Sequence, residues 1–304
     1  MKARHLAASI ALTLSLGFAA AVVPAVGAQE PDSAQASAPI SHILRTRDGS
    51  LFVGRVVAED AESVRFLTIG GVIVVRRADV VELRTVAARA IRQGQYWAPD
   101  PNDTRLFFAP TGRMLAKGDG YFSDTYLLLL NFVGGVTPRF TMGGGFSIIP
   151  SQNPQNNIIY ITPKLGVLQS ERVNIAIGAL AGFAGFEDLT DDDWERNFGI
   201  LYGVGTFGVP EASMTIGAGW GYTGNGLADQ PVVMIGGASR AGRRFSLVTE
   251  NYIFPSSDIH AVISYGVRLL GEKLSVDLAF FNGVGSGAEF LFPGIPYISV
   301  AMKF

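Results

Sequence analysis

The sequence predicts an all-β protein: a transmembrane antiparallel up-and-down β-barrel of about twelve strands, preceded by a small N-terminal β module. Three observations carry that reading. The 304 residues include 37 glycines and 20 phenylalanines, no cysteine, and only 16% charged residues. That balance suits a β-rich membrane wall better than a soluble α/β enzyme. From Thr104 onward the chain divides into segments whose apolar positions alternate, the period of a strand. The joins between those segments alternate in length, short then long, as they do when strands cross a membrane up and down.

In chain order, residues 1–28 read as a cleaved signal peptide. Lys2 and Arg4 supply the positive start, Leu6 to Val23 the apolar middle, and Val26-Gly27-Ala28 the small-residue cleavage site. The exported chain then has 22 basic against 26 acidic residues, a net charge of −4. Such a balance argues against a nucleic-acid partner. Outside the N-terminus no apolar run reaches the roughly 18 residues of a membrane helix. Residues 29–40 are rich in Ala, Ser, Pro and Gln and are expected to be a flexible tether.

Residues 41–84 read as five short strands, punctuated by turn signals at Asp48-Gly49 and Gly70-Gly71. Gly54, set among Val53, Val56 and Val57, marks a place where a strand bends. Asp48-Gly49, the Gly54-to-Val56 step and the late apolar strand pair resemble those of SH3-like or Sm-like small barrels. The resemblance covers this segment alone and implies a fold, not a ligand. Its arginines (Arg45, Arg47, Arg55, Arg65, Arg76, Arg77) form either a patch or, the expected reading, a solvated face. Residues 85–103 read as a linker. Val86 to Gln93 could make two helical turns, and Trp97 to Asn102, with Pro99 and Pro101, breaks regular structure.

The barrel is expected over 104–304. Its strands are placed near 104–111, 120–133, 138–149, 157–168, 172–185, 197–207, 211–221, 231–239, 243–254, 258–269, 273–283 and 295–304. Short joins fall at 134–137, 169–171, 208–210, 240–243 and 270–272. Longer polar ones fall at 112–119, 150–156, 186–196, 222–230, 255–257 and 284–294. An even count puts both barrel ends on the short-turn, periplasmic side.

The last strand, IPYISVAMKF, has Pro296, Ile298, Val300, Met302 and Phe304 on one face, with Tyr297, Ser299, Ala301 and Lys303 on the other. It resembles the C-terminal signal of Gram-negative outer-membrane β-barrels, an alternating apolar strand ending on Phe. The resemblance implies location in the bacterial outer membrane, contact with its lipid, and recognition by the barrel-assembly machinery. Tyr297, Ile298, Val300, Met302 and Phe304 are the positions that would be read.

Strand faces suggest where chemistry could lie. In 157–168, Ile159, Ile161, Leu165 and Val167 oppose Tyr160, Thr162 and Lys164; in 258–269, Ile259, Ile263 and Val267 oppose His260, Ser264 and Arg268. In 243–254, Phe245, Leu247 and Ile253 point outward with Thr249 and Asn251, leaving Glu250 inward. An Arg or Lys at mid-depth in lipid costs about 2–4 kcal/mol, so the charged face lines the lumen. The inward set is Arg139, Lys164, Glu250, Arg268 and Asp277. It is either a selectivity filter for small solutes or, the expected reading, a packed charge network that fills a narrow barrel.

The acidic loop from Glu187 to Glu195 holds six carboxylates but lacks EF-hand spacing, so a solvated loop is expected rather than a cation site. Histidines number three: His5, His42 and His260. Barrel phospholipases use Ser and His on the outer face, whereas His260 and Ser264 fall on the inward face here. No GxSxG, HExxH or P-loop is present, so neither catalysis nor a cofactor is expected. Gly143-Gly144-Gly145 is read as a place where the wall bends or accepts a large neighbour. Two function classes stay open: a narrow pore or transporter for small solutes, and a closed structural or binding protein.

Overall fold

A computed structural model of the chain describes residues 41–150, 157–184, 197–224, 226–255, 259–286 and 292–304. The signal peptide, the tether and the acidic loop lie outside the described residues.

Five strands open the described chain: β1 (Ser41–Thr46), β2 (Leu51–Glu59), β3 (Ser63–Thr68), β4 (Gly71–Arg76) and β5 (Val80–Val86). They form one antiparallel sheet in the order β4-β3-β2-β1-β5. Leu44, Val64 and Phe66, all fully buried, make its core with Ile73, Val75 and Val80. Gly49 and Gly71 take the left-handed backbone that these tight turns require (φ 87° and 114°). After β5 the expected helical turns do not form. A single 3-10 turn, Ala88–Ala90, leads into a two-residue pairing of Ile91–Arg92 with Gln95–Tyr96. Gln93 and Gly94 both have positive φ there, a hairpin turn that ends any helix. Trp97 then lies between the guanidinium groups of Arg92 and Arg240, 4.7 and 5.6 Å from its ring. Arg240 also donates to the Ala98 carbonyl (2.9 Å), and Arg45 pairs with Glu272 in a short turn.

The barrel wall consists of β6 (Gly120–Thr125), β7 (Leu129–Thr137), β8 (Phe140–Ser147), β9 in two segments (Ile158–Ile161 and Lys164–Gln169), β10 (Val173–Ala184), β11 (Asn197–Val209), β12 (Ala212–Thr223), β13 (Val232–Gly242), β14 (Phe245–Ile253), β15 (Ile259–Leu270), β16 (Leu274–Gly285) and β17 (Ile295–Lys303). Each pairs antiparallel with its chain neighbours, and β17 closes on β6 through Ser299 opposite Thr125 and Lys303 opposite Tyr121. The result is a closed wall of twelve strands. Closure removes every unpaired edge, which is the condition for a β structure to sit in hydrocarbon. Ile177, Leu201, Ile216, Leu247, Leu278 and Ile298 lie half exposed on its outside.

The expected count of twelve is met by a different set of strands. Residues 104–111 are not in the wall; they fold inside it. The missing strand comes from 120–133, which breaks at Tyr126-Leu127-Leu128 into β6 and β7, and the residues expected to turn at 134–137 continue β7. No turn residue announces that break. Tyr126 and Leu127 both adopt left-handed backbone (φ 60°), a conformation that costs a non-glycine residue about 1–2 kcal/mol. Its neighbours hold it: the Tyr126 hydroxyl donates to the Pro296 carbonyl (2.7 Å), and its ring packs edge-on against Tyr297. Joins at one end of the barrel are short, and those at the other are longer except for the three-residue β6–β7 turn. In the glycine run of β8, the Tyr160 ring occupies the space a Cβ on Gly145 would need, and its hydroxyl donates to the Leu130 carbonyl (3.2 Å).

Candidate functional site

The lumen holds a plug cut from the chain's own N-terminal side. Pro99 and Pro101 carry no N–H and resist pairing into a ladder, and after them the chain turns inward. Asn102, Leu106, Phe107, Ala109, Thr111 and Leu115 are all buried. The segment doubles back on itself: Leu106 N–H donates to the Ala109 carbonyl (2.8 Å) and Thr111 N–H to the Thr104 carbonyl (2.9 Å). The tight tip leaves the N–H groups of Phe107, Phe108 and Ala109 pointing one way, a backbone nest that attracts an anion.

Glu250, on β14, is that anion. Its Oε2 accepts from Phe107, Phe108 and Ala109 N–H at 2.8, 3.0 and 3.0 Å, and its Oε1 accepts from the Tyr252 hydroxyl at 2.6 Å. No cation is needed to satisfy it. Arg268, on β15, serves the plug's carbonyls. Its fork grips Asp277 on β16 (Nε to Oδ1 2.6 Å, Nη2 to Oδ2 3.1 Å), and its remaining donors reach Asp100, the Asn102 carbonyl (2.8 Å) and the Leu106 carbonyl (2.5 Å). Lys164, on β9, donates to the carbonyls of Thr104, Thr111 and Arg113 (3.3, 3.3 and 2.8 Å). An ammonium has three donors, so all are engaged. Gly112 N–H donates to Thr206 Oγ1 (2.8 Å), and a Cβ on Gly112 would collide with the Asn174 carbonyl. Burial raises the Asp103 carboxyl above its ordinary value of 3.8, and the charge of Asp100 adds to the rise.

Four of the five residues expected to face the lumen therefore meet around one object. Lys164, Glu250, Arg268 and Asp277 converge on the plug or on each other. Arg139 does not. It sits exposed in the short turn between β7 and β8, because β7 extends to Thr137 and pushes it beyond the wall. In the last strand, Ile298, Val300, Met302 and Phe304 point outward, whereas Tyr297 is 2% exposed and donates from its hydroxyl to the Phe107 carbonyl (3.0 Å). Ser264 serves the Glu250 backbone, donating to its carbonyl and accepting from its N–H (2.6 and 2.8 Å).

Sequence reasoning missed the plug. The signal was present: the stretch 104–111 follows two prolines, carries a third at Pro110, and runs Leu106-Phe107-Phe108-Ala109 without strand alternation. It also missed a cavity of about 450 Å³ beyond the plug, toward the long-loop end, lined by Phe108, Phe198, Ile200, Tyr202, Val232 and Met234 among others.

The closed, even-stranded wall, apolar outside and plugged within, has the architecture of a transmembrane β-barrel. The chain is similar to the NanC porin over 61% of its own length and 97% of that chain, at 8% identity and a TM-score of 0.37. It is similar to the OmpT outer-membrane protein of Vibrio cholerae over 87% of its length and 95% of that chain, at 11% identity and a TM-score of 0.32. A loop L8 deletion mutant of the same OmpT aligns at 10% identity and a TM-score of 0.33. No family model matches the chain, and a search of curated proteins found no match.

Proposed function

We propose that this protein is a plugged outer-membrane barrel that binds a small ligand in its lumen and has no standing aqueous channel. One observation carries the reading: Lys164, Glu250 and Arg268, the charges that could have formed a filter, spend their hydrogen-bonding capacity on the backbone of the plug. A filter needs charges free to meet a passing solute. Passage through this barrel requires the plug to move, so any transport is gated by it. The sheet of β1–β5 would stand on the periplasmic side, where the short turns lie. The C-terminal strand would be the segment read by the assembly machinery, with Ile298, Val300, Met302 and Phe304 as its lipid-facing signal and Tyr297 as its inward anchor on the plug.

Single-channel recording of the full mature chain in a planar bilayer tests this. Wild type is expected to insert without current steps, and a variant lacking residues 100–117 is expected to conduct. Steady, reproducible conductance from wild type, unchanged by the deletion, would refute the plugged barrel and restore the filter.

A further inference from the structure

Water-filled barrels keep a polar inside and an apolar outside along each strand. On β11 and β13, in the long-loop half of this barrel, that alternation fails. On β11 the inward residues are Phe198, Ile200, Tyr202 and Val204, while the outward face alternates Leu201 with Gly199, Gly203 and Gly205. Two strands along the same wall, β13 turns Val232 and Met234 inward. The cavity they enclose, about 450 Å³, lies within the roughly 300–1,000 Å³ of small-molecule sites. No carboxylate lines it, and its two charged residues, Arg105 and Lys164, lie at the plug end and are already bonded. Ser123, Thr125, Asn131, Thr141 and Thr162 line its other side, so the apolar part of the cavity is the wall of β11 to β13.

The wall beside this cavity is low. β6 has six residues where β10 and β12 have twelve and β11 thirteen. At about 3.3 Å per residue and a tilt near 40°, six residues rise roughly 15 Å and twelve roughly 30 Å, against an apolar band of about 25 Å. β7, the other arm of the hairpin, has nine residues and rises roughly 23 Å, so the tip of the β6–β7 hairpin stands lower than β10 to β12 and at the edge of the apolar band. Its side chains agree: Leu127 is 81% exposed, and Tyr126 and Leu128 are exposed beside it. A strained left-handed leucine presented to water would have nothing in its favour; presented to acyl chains it is solvated. Thr125 and Leu129, which flank the tip, both line the cavity.

We propose that the cavity takes an acyl chain of an outer-leaflet lipid, which enters sideways over the β6–β7 hairpin. The inference rests on the plugged-barrel reading, because Phe108 at the plug's tip, 47% exposed, is part of the cavity's lining. The ligand class follows from the lining, and the route follows from the low wall.

The test uses the full mature protein in nanodiscs containing phosphatidylcholine with a diazirine on one acyl chain. After irradiation, mass spectrometry locates the adducts. Labelling is expected at the inward Ile200 and Met234 as well as at the outward Leu201 and Ile235. I200W or M234W should lower the inward labelling by about tenfold or more, since losing even two methylenes of apolar burial costs about that factor. Outward labelling should persist, which controls for folding, and the two variants lie on different strands so that one misfolded protein does not decide the matter. Adducts confined to outward residues would overturn the proposal. So would inward labelling by diazirine hexadecanoic acid added from water but not by the phospholipid, because the ligand would then not arrive through the bilayer. Single-channel recording on the same preparation separates the two readings. Current steps from wild type would sink the plugged barrel whatever the labelling shows.

Discussion

Replacing Glu250 with alanine asks whether one carboxylate holds the plug. The wild-type group is fully buried and accepts three plug N–H groups at 2.8–3.0 Å. E250A leaves those donors inside the lumen without a partner. At about 1–2 kcal/mol for each orphaned N–H, the seated plug loses roughly 3–6 kcal/mol. At 1.4 kcal/mol per decade, the unseated population rises by about 10² to 10⁴. Hydrogen exchange at the amides of Phe107, Phe108 and Ala109 reads that population directly, because exchange requires local opening. E250Q keeps the shape and one acceptor oxygen but loses the charge, so it should fall between the two; charge-assisted bonds are about twice as strong as neutral ones. Equal exchange at the three amides in wild type and E250A would refute the reasoning, since the nest would then be closed by something other than the carboxylate.

Other changes have expected outcomes. R268K keeps the charge but loses the fork that spans Asp277, Asp100 and the plug carbonyls, so the barrel's thermal midpoint in detergent should fall, with about 2–4 kcal/mol lost; an unchanged midpoint would contradict the network. G112V has no room against the Asn174 carbonyl, so the wall should fold while the plug fails to seat, seen as current steps and fast exchange at residues 107–109. Asp103 is raised in the seated plug, so its contribution is present in full below its ordinary value of 3.8 and is lost as pH rises through the higher seated value. Plug protection, corrected for intrinsic exchange, should therefore weaken across that window in wild type and less so in D103N. R139A, at an exposed turn, should change stability by no more than about 0.5 kcal/mol and leave conductance unaltered.

Much of the wall was legible because a barrel strand answers to two solvents. Lipid outside and the charges held inside force alternation, so β10, β14, β15, β16 and β17 display their faces in the order of their residues. Glu250 could be turned inward from sequence alone, since the other register would have left a carboxylate in hydrocarbon. The break at Tyr126-Leu127 was illegible for the opposite reason. Neither residue favours left-handed backbone, and what holds the turn is a hydrogen bond to Pro296 and a ring contact with Tyr297, both about 170 positions away. The stretch 104–111 was read as a strand, yet its partners are side chains from β9, β14 and β15 rather than the backbone of an adjacent strand.

Alone, then, the sequence determined an all-β chain, the outward faces and the inward side of Lys164, Glu250, Arg268 and Asp277, because each depends on period and on the cost of a charge in lipid. Only the tertiary structure decided that the lumen is filled, that its charges are tied to backbone rather than left free, and that the space beyond is apolar. Those outcomes depend on a segment finding its N–H and carbonyl groups matched inside the barrel. Local spacing carries no record of contacts made across more than a hundred residues.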